Sequence, residues 1–598
     1  MGGGAPGKRS RLWQAGQVLS SRASVPSTRG NFDRSEALGR LRQETFDVLV
    51  IGGGITGAGV ALDAASRGLR TALVERHDFA SGTSSKSSKM VHGGLRYLQQ
   101  RDFRLVYEAL HERQRLLENA PHLVAPLPFL IPLFGRDGIV SKGVARTYAT
   151  ALTLYDLTGG LRIGKRHRRI SQAETLRHLP TLRTDRLVAG FIYYDARADD
   201  ARLTLAIART AALDHGAVLA NYAEVVGLVT DGSGAVKGAR VRPAVPVTDT
   251  AGATLEGEFE VRAQVVVNAT GVWADDVRAL DEASHPHSIR PAKGIHVTVS
   301  RSKLPADIAA VIPVPKDRRS IFVVPWPDGD DVYLGTTDTA WDGPLDDPAC
   351  LPGDVDYVLD AANGVITEPI GRADVTAVWA GLRPLLAPAE GHQVSDRTAD
   401  LSRRHTVRVS SHGMITVTGG KLTTYRRMAE DTVDAVVKAL GSPSGTRRCQ
   451  TKRLALHGSA GLEELRRPGA AGTFGVDDDV LAALVGRHGG DTPGVLALAE
   501  GRPELLEPMV RGLPHLRVEA LWAVRHEMAM TVDDVLSRRT RAVLRRARDA
   551  AEVAPALAEL LAPEWGRDPA DAARDAAGFA DQARGDLARA GLDPVSTK

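Results

Sequence analysis

Residues 46–75 read FDVLVIGGGITGAGVALDAASRGLRTALVE, and the order of residue types in this stretch decides the fold. Residues 47–51 form a short apolar strand, Gly52, Gly54 and Gly57 give G-x-G-x-x-G, 58–66 has helical composition, and 70–75 is a second strand ending on Glu75. Glycines so spaced let the chain turn tightly, let a pyrophosphate approach the backbone, and let the helix pack on the strand. The free N–H groups at the helix start then face the phosphates. Glu75 stands at about the 20-residue offset of a ribose-binding acid. Together these features predict a bound dinucleotide, whereas an isolated glycine motif would predict only a packing turn.

Working outward, a chain of 598 residues, 43% hydrophobic and 25% charged, has an ordinary globular composition and room for about three domains. Two cysteines, Cys350 and Cys449, supply neither a disulfide framework nor a thiolate cluster. A reducing, cytoplasmic setting is expected, with no metal. The net charge is +4, yet residues 1–42 carry eight Lys or Arg against Asp33 and Glu36, so the rest of the chain is −2. That balance argues against nucleic acid as a partner. The leader 1–42 lacks the apolar core of a secretory signal and is expected to be a disordered basic tail. No run approaches the ~18 apolar residues of a spanning helix, and the most apolar stretch, 121–134, is interrupted by four prolines.

After Glu75, residues 79–98 are small and hydroxyl-rich, with Lys86, Lys89, His92 and Arg96 among them. Small residues admit a planar ligand, and the cations suit an anion. Helical spacing is expected at 103–119 and 139–157. In the second helix Val144, Tyr148, Leu152 and Tyr155 form an apolar stripe beside basic residues. Such a stripe lies on a membrane surface or packs into a core, and the residues leave both readings open. From 187 the α/β pattern returns, and the strand within 262–273 runs into the turn Ala269-Thr270-Gly271. Residues 294–300, 320–326 and 331–339 alternate as an antiparallel sheet does. Residues 406–426 read as two strands, a glycine turn at Gly419 and Gly420, and a helix start. A linker follows at 442–454, and residues 455–598 have a helical period rich in Ala, Leu, Arg and Glu.

The motifs IGGGITGAG (51–59), SSKSSKMVHGGLRYL (84–98), VVNATGVWAD (266–275), KGIHV (293–297), LGTTDT (334–339), GLRPL (381–385) and TGGKLTTYR (418–426) occur in this order. With DVLSRRTR (534–541) in the tail, they make the chain resemble the FAD-dependent, aerobic-type glycerol-3-phosphate dehydrogenases of the D-amino-acid-oxidase-like flavoproteins. The leader and residues 243–258 look like departures from the family and touch no motif. The resemblance implies an α/β fold. Its discontinuous Rossmann-like FAD domain takes residues 43–120, 188–285 and 375–441. An antiparallel-sheet substrate or cap domain takes 121–187 and 286–374, and an all-α C-terminal domain follows. It also implies oxidation of sn-glycerol 3-phosphate to dihydroxyacetone phosphate, with electrons passing to a membrane quinone from a peripheral position on the inner face of the cell membrane. A homodimer is expected.

For the non-covalent FAD, the resemblance assigns Gly52, Gly54, Gly57, Glu75, Ser84, Ser85, His92, Gly93, Ala269, Gly271, Gly419, Gly420 and Thr423. Arg96, Tyr97, Arg383, Arg403 and Lys421 are assigned to the substrate. The physical chemistry agrees, since a phosphate dianion calls for several guanidinium or ammonium partners. His296 matches the family's proposed base for the C2 hydroxyl proton, and its unperturbed pKa of ~6.5 suits that work. Lys421 is placed to stabilise charge on reduced flavin, and Arg96 stands with both as catalytic. His92 is the rival base. Three alternatives stay open: an oxidase that uses oxygen, a nicotinamide-dependent dehydrogenase, and a flavin-stabilised scaffold whose helical domain binds a partner.

Overall fold

A computed structural model describes residues 31–94, 102–135, 142–159, 163–245, 247–248, 254–255, 257–282, 284–314, 319–387 and 404–592. Arg96, Tyr97 and Arg403, and the leader up to residue 30, lie outside the described residues.

Two sheets organise the chain. In the first, the apolar strand Thr45–Ile51 lies parallel between Phe259–Asn268 and Thr71–Val74. Val218–Ala220 extends it on one side and Ile415–Thr418 on the other, both in parallel. Valines and leucines run almost without interruption along the central strands because both faces are covered. The helix Ile55–Ser66 packs on one face with Asp200–Leu213 and Tyr425–Ala439. Four stretches far apart in sequence thus end at the same edge of one parallel sheet.

The second sheet has ten strands, nearly all antiparallel. Ile289–Ser300 pairs with both Asp331–Gly335 and Val375–Leu386, and Val124–Phe134 pairs along its length with Leu187–Ala198. The proline-rich stretch is therefore a strand. Pro126, Pro128 and Pro132 stand at alternate positions, so their missing N–H groups fall on one side of the ladder. Two expected boundaries change as a result. Leu187–Ala198 and Val375–Leu386, assigned above to the first domain, are strands of the second sheet. Their composition suits either sheet, and only distant partners decide between them.

The tail expected at 1–42 also needs correction. Arg34–Gln43 is a helix capped by Asp33, with Leu38 and Leu41 buried against the first sheet. The Arg34 guanidinium donates to the carbonyls of Asn221, Tyr222 and Val245. The charge count hid a short apolar face. In the expected linker, Arg447 N–H donates to the Arg67 carbonyl and the Thr451 hydroxyl to Asp63, so this segment is packed too. Of the apolar stripe on Lys142–Thr158, Leu152 and Tyr155 are buried, and the Tyr155 hydroxyl donates to Asp195. At these two positions the core reading holds.

The helical C-terminal domain is joined to both sheets by buried ion pairs. Asp78, three residues beyond Glu75, accepts from Arg538 Nε at 2.7 Å, from Arg539 Nη1 at 2.6 Å and from Asn221. Burial alone would raise its pKa, but Arg539 and Arg538 outweigh it and hold the carboxyl below its ordinary value. Arg202 meets Glu527 at 2.7 Å, and Arg545 meets Asp331 at 2.9 Å on the second sheet. Removing one member of such a group strands the others without a counter-charge. Asp78→Ala is expected to destabilise the protein by about 3–5 kcal/mol, read as a lower denaturant midpoint followed by intrinsic fluorescence.

Candidate active site

The first strand ends at Ile51, and the chain turns through Gly52 at φ 109° into the helix that starts at Ile55. A Cβ on Gly52 would stand 2.8 Å from the Ala269 carbonyl oxygen, and one on Gly57 would overlap the Gly52 carbonyl. These glycines let strand, turn and helix close on one another. Glu75 folds back on the turn: Oε2 accepts from Gly53 N–H at 2.6 Å and Oε1 from His77 N–H at 2.9 Å. Burial raises the Glu75 pKa, while the two N–H donors pull it down. The carboxylate oxygens retain lone pairs for a ribose.

Two further segments reach this turn. Ala269 N–H donates to the Ile51 carbonyl at 2.9 Å, and Asn268 shapes the bend by accepting from the Thr270 hydroxyl at 2.7 Å and donating to the Ala274 carbonyl. Gly419 and Gly420 carry φ 75° and 88°, and a Cβ on Gly420 would collide with the Met428 sulfur. With residues 81–84 these pieces enclose a cavity of about 470 Å³.

Gly52, Gly54, Glu75, Ser84, Ala269, Gly271, Gly419 and Gly420 line that cavity, as do Arg383 and Lys421. Gly57, Ser85, His92, Gly93 and Thr423 do not line it and stand just behind or beside the residues that do. Gly57 is a packing glycine. Gly93 N–H donates to the Tyr155 hydroxyl at 2.9 Å, and a Cβ there would strike Leu110. His92 N–H donates to the Thr423 hydroxyl, which ties two walls of the site together. Ser85 lines a neighbouring cavity, and its carbonyl accepts from Lys89 and Arg541. The motif spacing identified the neighbourhood, and tertiary packing decided which members face inward.

Sequence reasoning missed the far end of the cavity, where Ala223, Glu224 and Val225 line it and the Arg76 guanidinium lies 4.7 Å over the Trp273 ring. Trp273 stood in a quoted motif, but the 223–225 strand carries no signal. The residues present fit a dinucleotide: a glycine turn at a helix start, the acid Glu75 folded back on that turn, and the cations Arg76, Arg383 and Lys421 in the lining.

Arg383 is carried on the strand Val375–Leu386. Its guanidinium is braced by Asp338 at 3.3 Å and by the Thr336 hydroxyl and Thr337 carbonyl. His296 lies on the neighbouring strand, only 3% exposed, with its ring stacked on Trp379 at 4.6 Å. It does not line the dinucleotide cavity. Nε2 is 2.8 Å from the Ser88 hydroxyl. Burial, and then the charges of Lys89 and Arg383, hold its pKa well below the ordinary histidine range. Asp200 holds the Ser88 loop, accepting from Ser87 N–H at 3.0 Å, the Ser87 hydroxyl at 2.6 Å and Lys89 at 3.2 Å. Nothing in the sequence marked Ser88 or Asp200 as partners of this site.

Residues 47–426 match the model of the FAD dependent oxidoreductase family, and 449–572 match the C-terminal domain of alpha-glycerophosphate oxidase. A glycerol-3-phosphate dehydrogenase 2 of Mycobacterium bovis is 41% identical over 574 residues, covering 95% of this chain and 93% of that one. The chain belongs to the FAD-dependent glycerol-3-phosphate dehydrogenase family. The mitochondrial family member of Homo sapiens is 38% identical over 542 residues, covering 88% of this chain and 71% of that one. A crystal structure of the glycerol-3-phosphate dehydrogenase from Bacillus halodurans complexed with FAD matches with a TM-score of 0.71 at 32% identity, over 94% of this chain and 98% of that one. The family's flavin and the cavity seen here call for the same cofactor, FAD. Gly57→Ala should leave the purified protein without flavin absorbance, because the added methyl meets backbone that cannot yield.

Proposed function

We propose that this protein oxidises sn-glycerol 3-phosphate to dihydroxyacetone phosphate and passes the electrons to a membrane quinone. The observation that carries the reading is the placement of Arg383 and Lys421 on the wall of the dinucleotide cavity, in a chain whose 41%-identical relatives are glycerol-3-phosphate dehydrogenases. Bound FAD supplies the hydride acceptor. Arg383, held in its fork by Asp338 and Thr336, presents a pre-organised cation to the substrate phosphate, with Lys421 as a point charge beside it. Arg96, Tyr97 and Arg403 complete that cup in this reading. His296 takes the C2 hydroxyl proton. Its low pKa keeps the ring neutral, hence able to accept a proton, throughout the neutral range.

Oxygen as the acceptor is the second reading, kept because the tail matches the C-terminal domain of an oxidase. Among the described residues no helix is long and apolar enough to cross a membrane. Peripheral contact is supported by exposed apolar side chains on two neighbouring helices: Phe103 and Tyr107 on one, Leu154 and Leu157, the last 70% exposed, on the other. The homodimer belongs to the same reading, and sedimentation tests it.

Anaerobic addition of glycerol 3-phosphate should bleach the flavin, and a quinone analogue should restore its colour faster than oxygen does; flavin that stays yellow would end the proposal. Arg383→Ala is expected to raise KM about 10- to 100-fold, from the loss of roughly 1.5–3 kcal/mol of charged hydrogen bonding. His296→Asn should lower kcat about 10²–10⁴-fold with flavin still bound. Because the His296 pKa is depressed, wild-type kcat/KM should hold steady down through about pH 6.5 and fall only in more acid solution. A limb centred at the ordinary histidine value would exclude His296 as the base. Leu157→Asp should weaken co-sedimentation with anionic lipid vesicles while anaerobic bleaching persists.

A further inference from the structure

A second cavity of about 480 Å³ lies between the ten-stranded sheet and the C-terminal domain, and it shares no lining residue with the dinucleotide cavity. Trp326 and Tyr333 form its inner wall. Their rings lie 5.3 Å apart, and Tyr333 is 5.7 Å from Trp379, the ring on which His296 stacks. The cavity therefore backs on to the aromatic cluster that supports His296.

The cations on its wall differ in what they meet. Lys89, Arg197, Arg487, Arg541 and Arg545 line it. Four of these are spent: Lys89 and Arg541 on Asp200, Arg487 on Glu519 and Asp328, Arg545 on Asp331 and Asp328. Arg197 makes no ion pair or side-chain hydrogen bond among the described residues. Burial works against its charge, and Tyr333 and then Asp328, the latter from beyond ion-pair distance, work for it. The lining carboxylates are otherwise engaged, for Asp328 is held by two arginines and Asp199 caps the helix Asp200–Leu213 and meets Arg541 at 3.2 Å. Asp479 is exposed. Arg197 is partly exposed to the cavity, and its planar fork is shaped for a carboxylate or a phosphate. Beside it, Trp326, Pro325 and Pro514 offer an apolar surface.

We propose that this cavity is a second ligand site, which takes a small organic anion with its carboxylate or phosphate on Arg197 and its hydrocarbon body against Trp326 and Pro514. The anion supplies the counter-charge that Arg197 lacks, and the aromatic wall supplies the contact that distinguishes an organic anion from an inorganic one.

The test is calorimetric titration of the FAD-loaded full chain with benzoate, phenyl phosphate and inorganic phosphate, on wild type, Arg197→Gln, Ala483→Phe and Arg383→Gln. Either aromatic anion should bind more tightly than inorganic phosphate, and the tighter of the two identifies the head group. Arg197→Gln should weaken that binding at least tenfold. Ala483→Phe, which fills the cavity and leaves the charge in place, should do the same, and Arg383→Gln should keep it. Flavin content and melting temperature report whether each variant is folded. Binding that survives in both Arg197→Gln and Ala483→Phe, that disappears only in Arg383→Gln, or that is absent in wild type for both aromatic anions would overturn the proposal. None of these outcomes bears on flavin bleaching by glycerol 3-phosphate, so this site and the proposed function fail independently.

Discussion

The close approach of Gly52 to the carbonyl of Ala269 is the contact on which the rest of the architecture depends. It brings the ends of two parallel strands more than 200 positions apart in the chain to within a distance that no side chain would permit. Gly57 against the Gly52 carbonyl closes the helix on the same point, and Ala269 N–H donating to Ile51 locks it. Helix N–H groups and strand ends then face one space, the usual place for a ligand in an open α/β sheet.

A cavity assembled from separate segments needs something to hold the segments in register. Part of that work falls to the C-terminal domain. Its Arg538 and Arg539 hold Asp78, just past Glu75, and Arg541 reaches Asp200 and the Ser85 carbonyl. Asp200 in turn fixes the loop whose Ser88 meets His296. Buried ion pairs of this kind contribute little net stability but are costly to break, so they favour one arrangement of the domains over others. The helical domain is thus part of the site's frame. Its first carboxylate contact, Asp78, lies three residues past Glu75, and its second, Asp200, holds the loop that meets His296.

The second sheet supplies what the first cannot. Neighbouring antiparallel strands place His296 beside Trp379 and set Arg383 a few residues away along the same ladder, where Arg383 lines the dinucleotide cavity. Depression of the His296 pKa follows from that placement, since the ring is buried among aromatics with Lys89 and Arg383 nearby. The same aromatic cluster, through Trp326 and Tyr333, also forms a wall of the cavity around Arg197.

Local chemistry was sufficient for whatever depends on residues close in sequence. The glycine spacing and Glu75 identified the dinucleotide turn, alternation identified the antiparallel strands, and helical period identified the tail, because each is a short-range consequence of backbone geometry. Quoted motifs also brought Arg383, Lys421 and His296 to notice. What the sequence left undecided was pairing at a distance. Leu187–Ala198 and Val375–Leu386 are apolar enough for either sheet, and their partners are set by the whole fold. Gly93 and Gly57 look like ligand contacts in their motifs but serve packing, a distinction made by Leu110 and by the Gly52 carbonyl. Asp200 and Arg197 carry no local mark at all, and Ser88 stands in a quoted motif with nothing to single it out from its neighbours. Their roles arise from which charges and hydroxyls are left with or without partners once the domains have closed, and only the tertiary structure decides that.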